Sequence, residues 1–252
     1  MRQVALTTDI GEGYGRWRLG DDEALLDLVT GANIACGFHA GDPGIMRETC
    51  TVAVGNGISI GAQLSYLDLH GFGRRFIAYE HGELVDDLLY QLGALEVFAR
   101  LAGGRIDFVR AHGALYNAAA THTEHARAIV DAVREYDAGL PVLCQFGTEV
   151  WRAAEVAGLR TLAEGFVDRG YTADGLLVPR NEPGAMVVDA EAAAVRAVAM
   201  VTDGEIEAVD GTRVSIQADA LVVHSDSAGA VEIARATRLA LESAGIDMVR
   251  VR

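Results

Sequence analysis

Imidazoles and carboxylates recur in this chain where an apolar run gives way to a glycine-rich turn. Gln3–Thr8 leads into Asp9-Ile10-Gly11-Glu12-Gly13, and Ala32–Cys36 leads into Gly37-Phe38-His39-Ala40-Gly41-Asp42-Pro43-Gly44. Phe108–Ala111 ends at His112-Gly113, and Ala220–Val223 ends at His224-Ser225-Asp226. Carboxylate and imidazole groups supply general acid and base, while arginine and amide groups stabilise developing negative charge. Gathered on one rim, Asp9, Glu12, His39, Gln63, His112, Asp168, Arg169, His224 and Asp226 would form a hydrolytic site. Arg74 and Arg75, in a long loop, could bind a carboxylate or phosphate or form a solvated basic pair. An Asp with two His could also hold a divalent metal, but no HExxH or comparable spacing marks one, so no metal ligand is assigned. Ser65 and Ser225 lack a GxSxG elbow, which argues against a serine hydrolase. Cys36 lies in an apolar strand and reads as a small core residue rather than a nucleophile. The glycines around Asp9 and Glu12 are not followed by a Walker lysine, so they do not by themselves define a nucleotide site.

Strands must hold these turns at one end. The pattern predicts strands at 3–8, 32–36, 58–63, 108–112, 141–146, 161–166, 220–223 and 248–251. Helices are expected from Asp21-Asp22-Glu23 onward, after the Asp42-Pro43 start, and over 83–100, 123–136, 148–157, 189–201 and 228–243. His112 would lead into an exit loop, 113–117, and 206–216 forms a small hairpin around Asp210-Gly211. The polar, glycine-punctuated stretch from Val167 to Arg180 has the character of a functional loop. About seven β-then-α units follow one another without a break in composition, which predicts one domain over residues 1–252. Because polar clusters leave almost every strand, a TIM-like β/α barrel fits better than an open sheet with one crevice.

The totals narrow the function. Half of the 252 residues are hydrophobic and 23% are charged, so a sizeable core is expected. A net charge of −15 argues against nucleic acid as a partner, though a few local arginines can still hold a small anionic substrate. Three cysteines without CxxC spacing suggest neither a disulfide framework nor a zinc knuckle. No apolar run has the length of a signal peptide or a membrane span, and the expected location is a reducing cytoplasm.

The residues then carry a resemblance. DIGEG, ANIACGFHAGDPGIM, IGAQLSYLDLHGFGRR, HGALYN, FVDRGYTADGLLVPR and VHSD, in this order and over essentially the full length, resemble the LamB/YcsF family. That family's better-known members are the A subunits of the bacterial ATP-dependent 5-oxoprolinase, which work with subunits B and C. The resemblance implies a β/α barrel related to polysaccharide deacetylases, with ATP as co-substrate and opening of the lactam of 5-oxo-L-proline to L-glutamate. It implies catalytic roles among Asp9, Glu12, His39, His112, Asp168 and Asp226, and substrate binding by Asn33, Gln63, Arg74, Asn117 and Arg169. Within that set, Asp9 or His39 is the expected base, His112 the acid, and Arg74 or Arg169 the partner of the substrate carboxylate. The chain departs from the family pattern at Ala5 and Thr7 (usually DLNxDLGE), at Gln63, Leu64 and Leu67 (usually GAHPSxPD), at Arg110 and Ala111 (usually KPHG) and at Ser225 (usually HGD). Arginine cannot shed its proton as lysine can, so proton transfer at 110 is not expected. These departures keep two alternatives open: a divergent paralogue hydrolysing a different cyclic amide or N-acyl substrate, with or without a metal, and a non-catalytic partner subunit. Whether the chain forms a homodimer is a further open point.

Overall fold

The apolar run Gln3–Ile10 forms β1, buried from Val4 onward, and the chain builds a closed parallel barrel around it. The computed structural model describes residues 2–251. The next strands are β2 (Gly31–Ala35), β3 (Ser59–Leu64), β4 (Ile106–Ala111), β5 (Val142–Cys144) and β6 (Thr161–Phe166). The short hairpin of β7 (Glu205–Glu207) and β8 (Arg213–Ser215) stands apart, followed by β9 (Ala220–Val223) and β10 (Asp247–Met248). Among the described residues, β1 to β6 and β9 pair in parallel, and β9 closes onto β1 from Ala5–Ala220 to Thr8–Val223. Closure removes free sheet edges and puts every strand's C-terminal end on one rim.

The helices are α1 (Asp22–Leu26), α2 (Pro43–Gly55), α3 (His81–Leu101), α4 (Gly113–Ala119), α5 (Thr123–Asp137), α6 (Glu149–Val156), α7 (Ala190–Thr202) and α8 (Ala230–Ser243). Asp42 starts α2 as its composition predicts: its carboxylate accepts from the N–H of Gly44 at 2.8 Å and of Ile45 at 3.1 Å. Such a cap contributes about 1 kcal/mol. The other Asp42 oxygen accepts from Gly15 at 2.8 Å, tying the loop after β1 to α2. In α3, Leu84, Leu88, Leu92, Leu95 and Ala99 are fully buried, so the helical stripe is core; each leucine contributes roughly 2 kcal/mol.

Inside the barrel the layers change character from bottom to top. Ala5, Phe108, Leu143, Ala220 and Val251 form an apolar floor. Gly61 belongs there because a Cβ at that position would lie 2.2 Å from the Phe108 ring. Alternation along each strand then brings polar side chains to the interior above this floor, among them Asp9, Asn33, Gln63, Arg110 and Glu164.

Three elements differ from expectation. The predicted exit loop after His112 is the two-turn helix α4, and β5 stops at Cys144. The last strand pairs only through Asp247 and Met248 with Gln3 and Val4. Val251 then turns under the barrel, where its carbonyl accepts from the Ser59 hydroxyl at 3.1 Å. Cys36, Cys50 and Cys144 are free and buried; burial pushes the Cys50 thiol up to about 12 and the other two higher. No helix among the described residues is long and apolar enough to cross a membrane.

Candidate active site

Asp9 sits near the end of β1. Its Oδ1 accepts both from the Asn33 amide at 2.9 Å and from Nη1 of Arg110 at 3.0 Å, leaving Oδ2 for the space above. Arg110, on β4, also donates from Nε to Glu164 of β6 at 2.7 Å. Its guanidinium lies 5.0 Å from the Tyr116 ring centroid and 5.6 Å from that of Phe166. Burial alone would lower the pKa of Arg110, but the charges of Asp9 and Glu164 outweigh it and raise it. Burial also holds the Glu164 carboxyl above its ordinary range, despite the same guanidinium. A planar fork can serve both carboxylates, which a single ammonium does less well.

Beside this rung lies a second cluster. His39 follows β2, with Nε2 3.2 Å from Glu12 Oε1, and its ring stacks on His112 with centroids 3.7 Å apart. His112 donates from Nε2 to the Phe72 carbonyl at 3.0 Å, so its Nδ1 accepts the Gln63 amide at 3.0 Å. Burial, then the neighbouring His39, holds His112 well below the usual imidazole pKa, and the ring is neutral at pH 7. Phe72 has φ 55°, an uncommon conformation for an aromatic residue, and turns its carbonyl onto His112. At Gly73 (φ 64°) a Cβ would come within 2.3 Å of Ser65 Oγ and 2.9 Å of both histidines, so this turn closes over the pair. Ser225, in place of the family's usual glycine, donates its hydroxyl to Glu12 at 3.3 Å.

Asp168 and His224 form a third group. Asp168 accepts from the His224 backbone N–H and Nδ1 at 3.0 Å and from the Ser227 hydroxyl at 3.4 Å. Nδ1 therefore carries the proton and Nε2 is left for a ligand. Burial would raise the Asp168 carboxyl, but His224 outweighs it and holds it below the usual carboxylate range. Arg74 pairs with Asp226, whose other oxygen lies 4.0 Å from Arg180. Arg169 donates Nε and Nη2 to the carbonyls of Ala185 at 3.0 Å and Val178 at 2.6 Å, which anchors the segment after β6.

Asp9, Arg74, Arg110, His112, Asn117, Arg169, Arg180 and His224 line one cleft of about 300 Å³ at the C-terminal rim. A larger hollow of about 980 Å³ at the opposite end, between the starts of β3 to β5, has no imidazole on its walls. The imidazoles and the cluster of arginines are at the smaller one.

The LamB/YcsF family model matches residues 4–252. This chain belongs to the LamB/YcsF family. It is 50% identical over 248 residues to the 5-oxoprolinase A subunit of Mycobacterium avium (strain 104), covering 98% of each chain. It is 51% identical over 241 residues to the 5-oxoprolinase A subunit of Nocardia farcinica (strain IFM 10152), covering 96% of each. The crystal structure of the lactam utilization protein from Thermus thermophilus superposes with a TM-score of 0.94 at 44% identity, over 100% of both chains.

As a LamB/YcsF member the chain distributes its sequence-chosen residues over three depths. Asp9, Arg74, His112, Asn117 and Arg169 line the cleft. Asn33 and Gln63 lie beneath it and orient Asp9 and His112. Glu12 and His39 are buried beside it, Asp168 reaches it through His224, and Asp226 reaches it through Arg74. Arg75 turns away from the site to Asp68, so the adjacent arginines have separate jobs. Of the departures from the family pattern, Ala5 is in the apolar floor, Thr7 is buried and bonds the Leu221 carbonyl, and Leu67 faces solvent. Gln63, Arg110 and Ser225 bond site side chains, and the Leu64 carbonyl accepts from the His112 backbone N–H at 2.7 Å. Reading the sequence placed His224 on the rim without a role and gave none to Arg180 or Glu164. A glutamate inside the apolar strand TLAEGF was the available signal for the last.

Proposed function

We propose that this chain is the A subunit of an ATP-dependent 5-oxoprolinase, opening 5-oxo-L-proline to L-glutamate together with subunits B and C. Relatives at about half identity over nearly the whole length carry the name of that A subunit. The observation that carries the chemistry is that Asp9 and the Asp168-held imidazole of His224 line one small cleft with a wall of arginines. A lactam is a resonance-stabilised amide with a poor amine leaving group. ATP, as co-substrate of the complex, makes the carbonyl carbon electrophilic; a base must then take a proton from water, and an acid must protonate the departing nitrogen. Asp9 Oδ2 is the base in this reading. The acid is the imidazolium of His224, whose Nδ1–H stays on Asp168 after Nε2 has taken up a proton that it then passes to the departing nitrogen. His112 is not the acid, since both of its ring nitrogens are already bonded.

A divalent ion fits beside this cleft. Glu12, His39 and His112 each offer one ligand atom, all within 4.8 Å of one another, and the buried Nδ1 of His39 and Oε1 of Gln63 lack partners among the described residues. Such an ion would act as a Lewis acid, and Gln63 would have to release Nδ1 of His112 to it. The same donor set favours a second reading, a metal-assisted hydrolase of another cyclic amide that works without ATP.

The test is turnover of 5-oxoproline by the chain alone and with subunits B and C. Ring opening is expected only in the ATP-containing mixture, falling at least ~100-fold with His224→Ala. Turnover of an amide by the isolated chain with metal and without ATP selects the second reading. No turnover in any mixture, with competent partners, refutes the first.

A further inference from the structure

Buried charges in proteins are paired, because an unpaired ion taken out of water is costly. Arg169 departs from this. It is 3% exposed, its guanidinium bonds two backbone carbonyls, and it makes no ion pair among the described residues. Its neighbour Asp168 takes its hydrogen bonds from His224 and Ser227. Burial first, and then the charge of Arg180, lower the Arg169 pKa to about 10. Arg180 is itself lowered, by burial and then by Arg74. Three guanidiniums thus crowd one wall of the cleft, and Arg74 and Arg180 share a single carboxylate, Asp226. In a chain of net charge −15, that wall carries three guanidiniums against one ion-paired carboxylate, with the Asp168 charge also acting on Arg169 and Arg180.

We propose that Arg169, Arg180 and Arg74 form a phosphoryl subsite. A lactam carboxylate brings one charge and a flat pair of oxygens, which one guanidinium fork satisfies. A phosphoryl group brings close to two charges and three peripheral oxygens, enough to engage all three guanidiniums. The amide of Asn117, on the same cleft, is a further donor. The subsite takes its place in catalysis from the 5-oxoprolinase reading, but its geometry stands without it. The group could arrive on an activated lactam oxygen or as the terminal phosphate of a nucleotide; the chemistry recognised is the same.

Inorganic phosphate titrated calorimetrically into the full chain at low salt tests this, with sulfate and acetate as competitors and Arg180→Gln as the variant. Arg180 is chosen because Arg169 also anchors backbone; a matched thermal melt checks the fold, and Arg74→Gln serves as a second variant. Phosphate is expected to bind, sulfate to displace it, acetate not to, and either substitution to weaken it at least tenfold. ATP competing with phosphate in the wild type but not in Arg180→Gln assigns the group to the nucleotide. No competition by ATP, together with ATP hydrolysis uncoupled from ring opening in the Arg180→Gln complex, assigns it to the activated lactam. Phosphate affinity unchanged in both variants, or displaced as well by acetate as by sulfate, overturns the subsite. Absence of 5-oxoproline turnover with phosphate binding retained would sink only the 5-oxoprolinase reading.

Discussion

Arg110→Met asks whether the barrel interior is held by charge. Methionine keeps an apolar stem against Tyr116 and Phe166 and deletes the guanidinium. Two contacts disappear, at 3.0 Å to Asp9 and 2.7 Å to Glu164, both to carboxylates that are 2% exposed. Removing one partner of a buried pair costs about 3–5 kcal/mol. Two carboxylates are orphaned here, but burial already pushes Glu164 toward its neutral form, so it adds little. The expected loss at pH 7.5 is therefore about 3–5 kcal/mol, a large share of a typical stability of about 5–15 kcal/mol. The pH dependence follows in sign. In the variant, Glu164 loses the guanidinium that opposes the effect of burial, so its folded pKa rises further above the unfolded one; the folded state binds more protons and stability falls as pH rises through the folded value. Urea denaturation should show a smaller deficit at pH 5.5 than at pH 7.5. Arg110→Met combined with Glu164→Leu should recover part of the loss at pH 7.5. A deficit under about 1 kcal/mol, or one equal at both pH values, would refute the idea that Arg110 is the interior counter-charge.

Asp22, beside Glu12 at the start of α1, has its carboxyl raised by burial from 3.8 to about 6, against a hydrogen bond from Gly11. A raised folded pKa means a contribution present below the unfolded value and lost as pH rises through the folded one. Asp22→Asn should therefore remove up to about 3 kcal/mol of the decline between pH 4 and pH 7, read from denaturation midpoints across that range; an unchanged slope would contradict it. Gly73→Ala places a methyl 2.3 Å from Ser65 Oγ and 2.9 Å from the two histidines, on a backbone at φ 64°. A loss of at least about 2 kcal/mol in a urea melt is expected, and a change below about 0.5 kcal/mol would show that the turn yields.

Much of this architecture was legible because the signals are local. Apolar runs ending in glycine-rich turns marked each barrel strand, and Asp42-Pro43 marked the start of α2. Phe108 and Arg110 on β4 share one parity with His112 just beyond it, so alternation alone puts Arg110 inside once His112 is on the rim. The partners were not legible. Asp9 and Glu164 lie 101 and 54 residues from Arg110 and meet it only because the sheet closes. His39, His112 and His224 look alike in sequence, each following an apolar run. What separates them is the group that takes their nitrogens: Glu12 for His39, Gln63 and the Phe72 carbonyl for His112, and Asp168 for His224. A carboxylate on one nitrogen, with the other left over the cleft, is the arrangement that suits His224 to the proton transfer proposed for it. A carbonyl and an amide on both nitrogens make His112 a neutral wall. The position of an imidazole at a strand end is a property of its own segment; its protonation state belongs to the strands beside it.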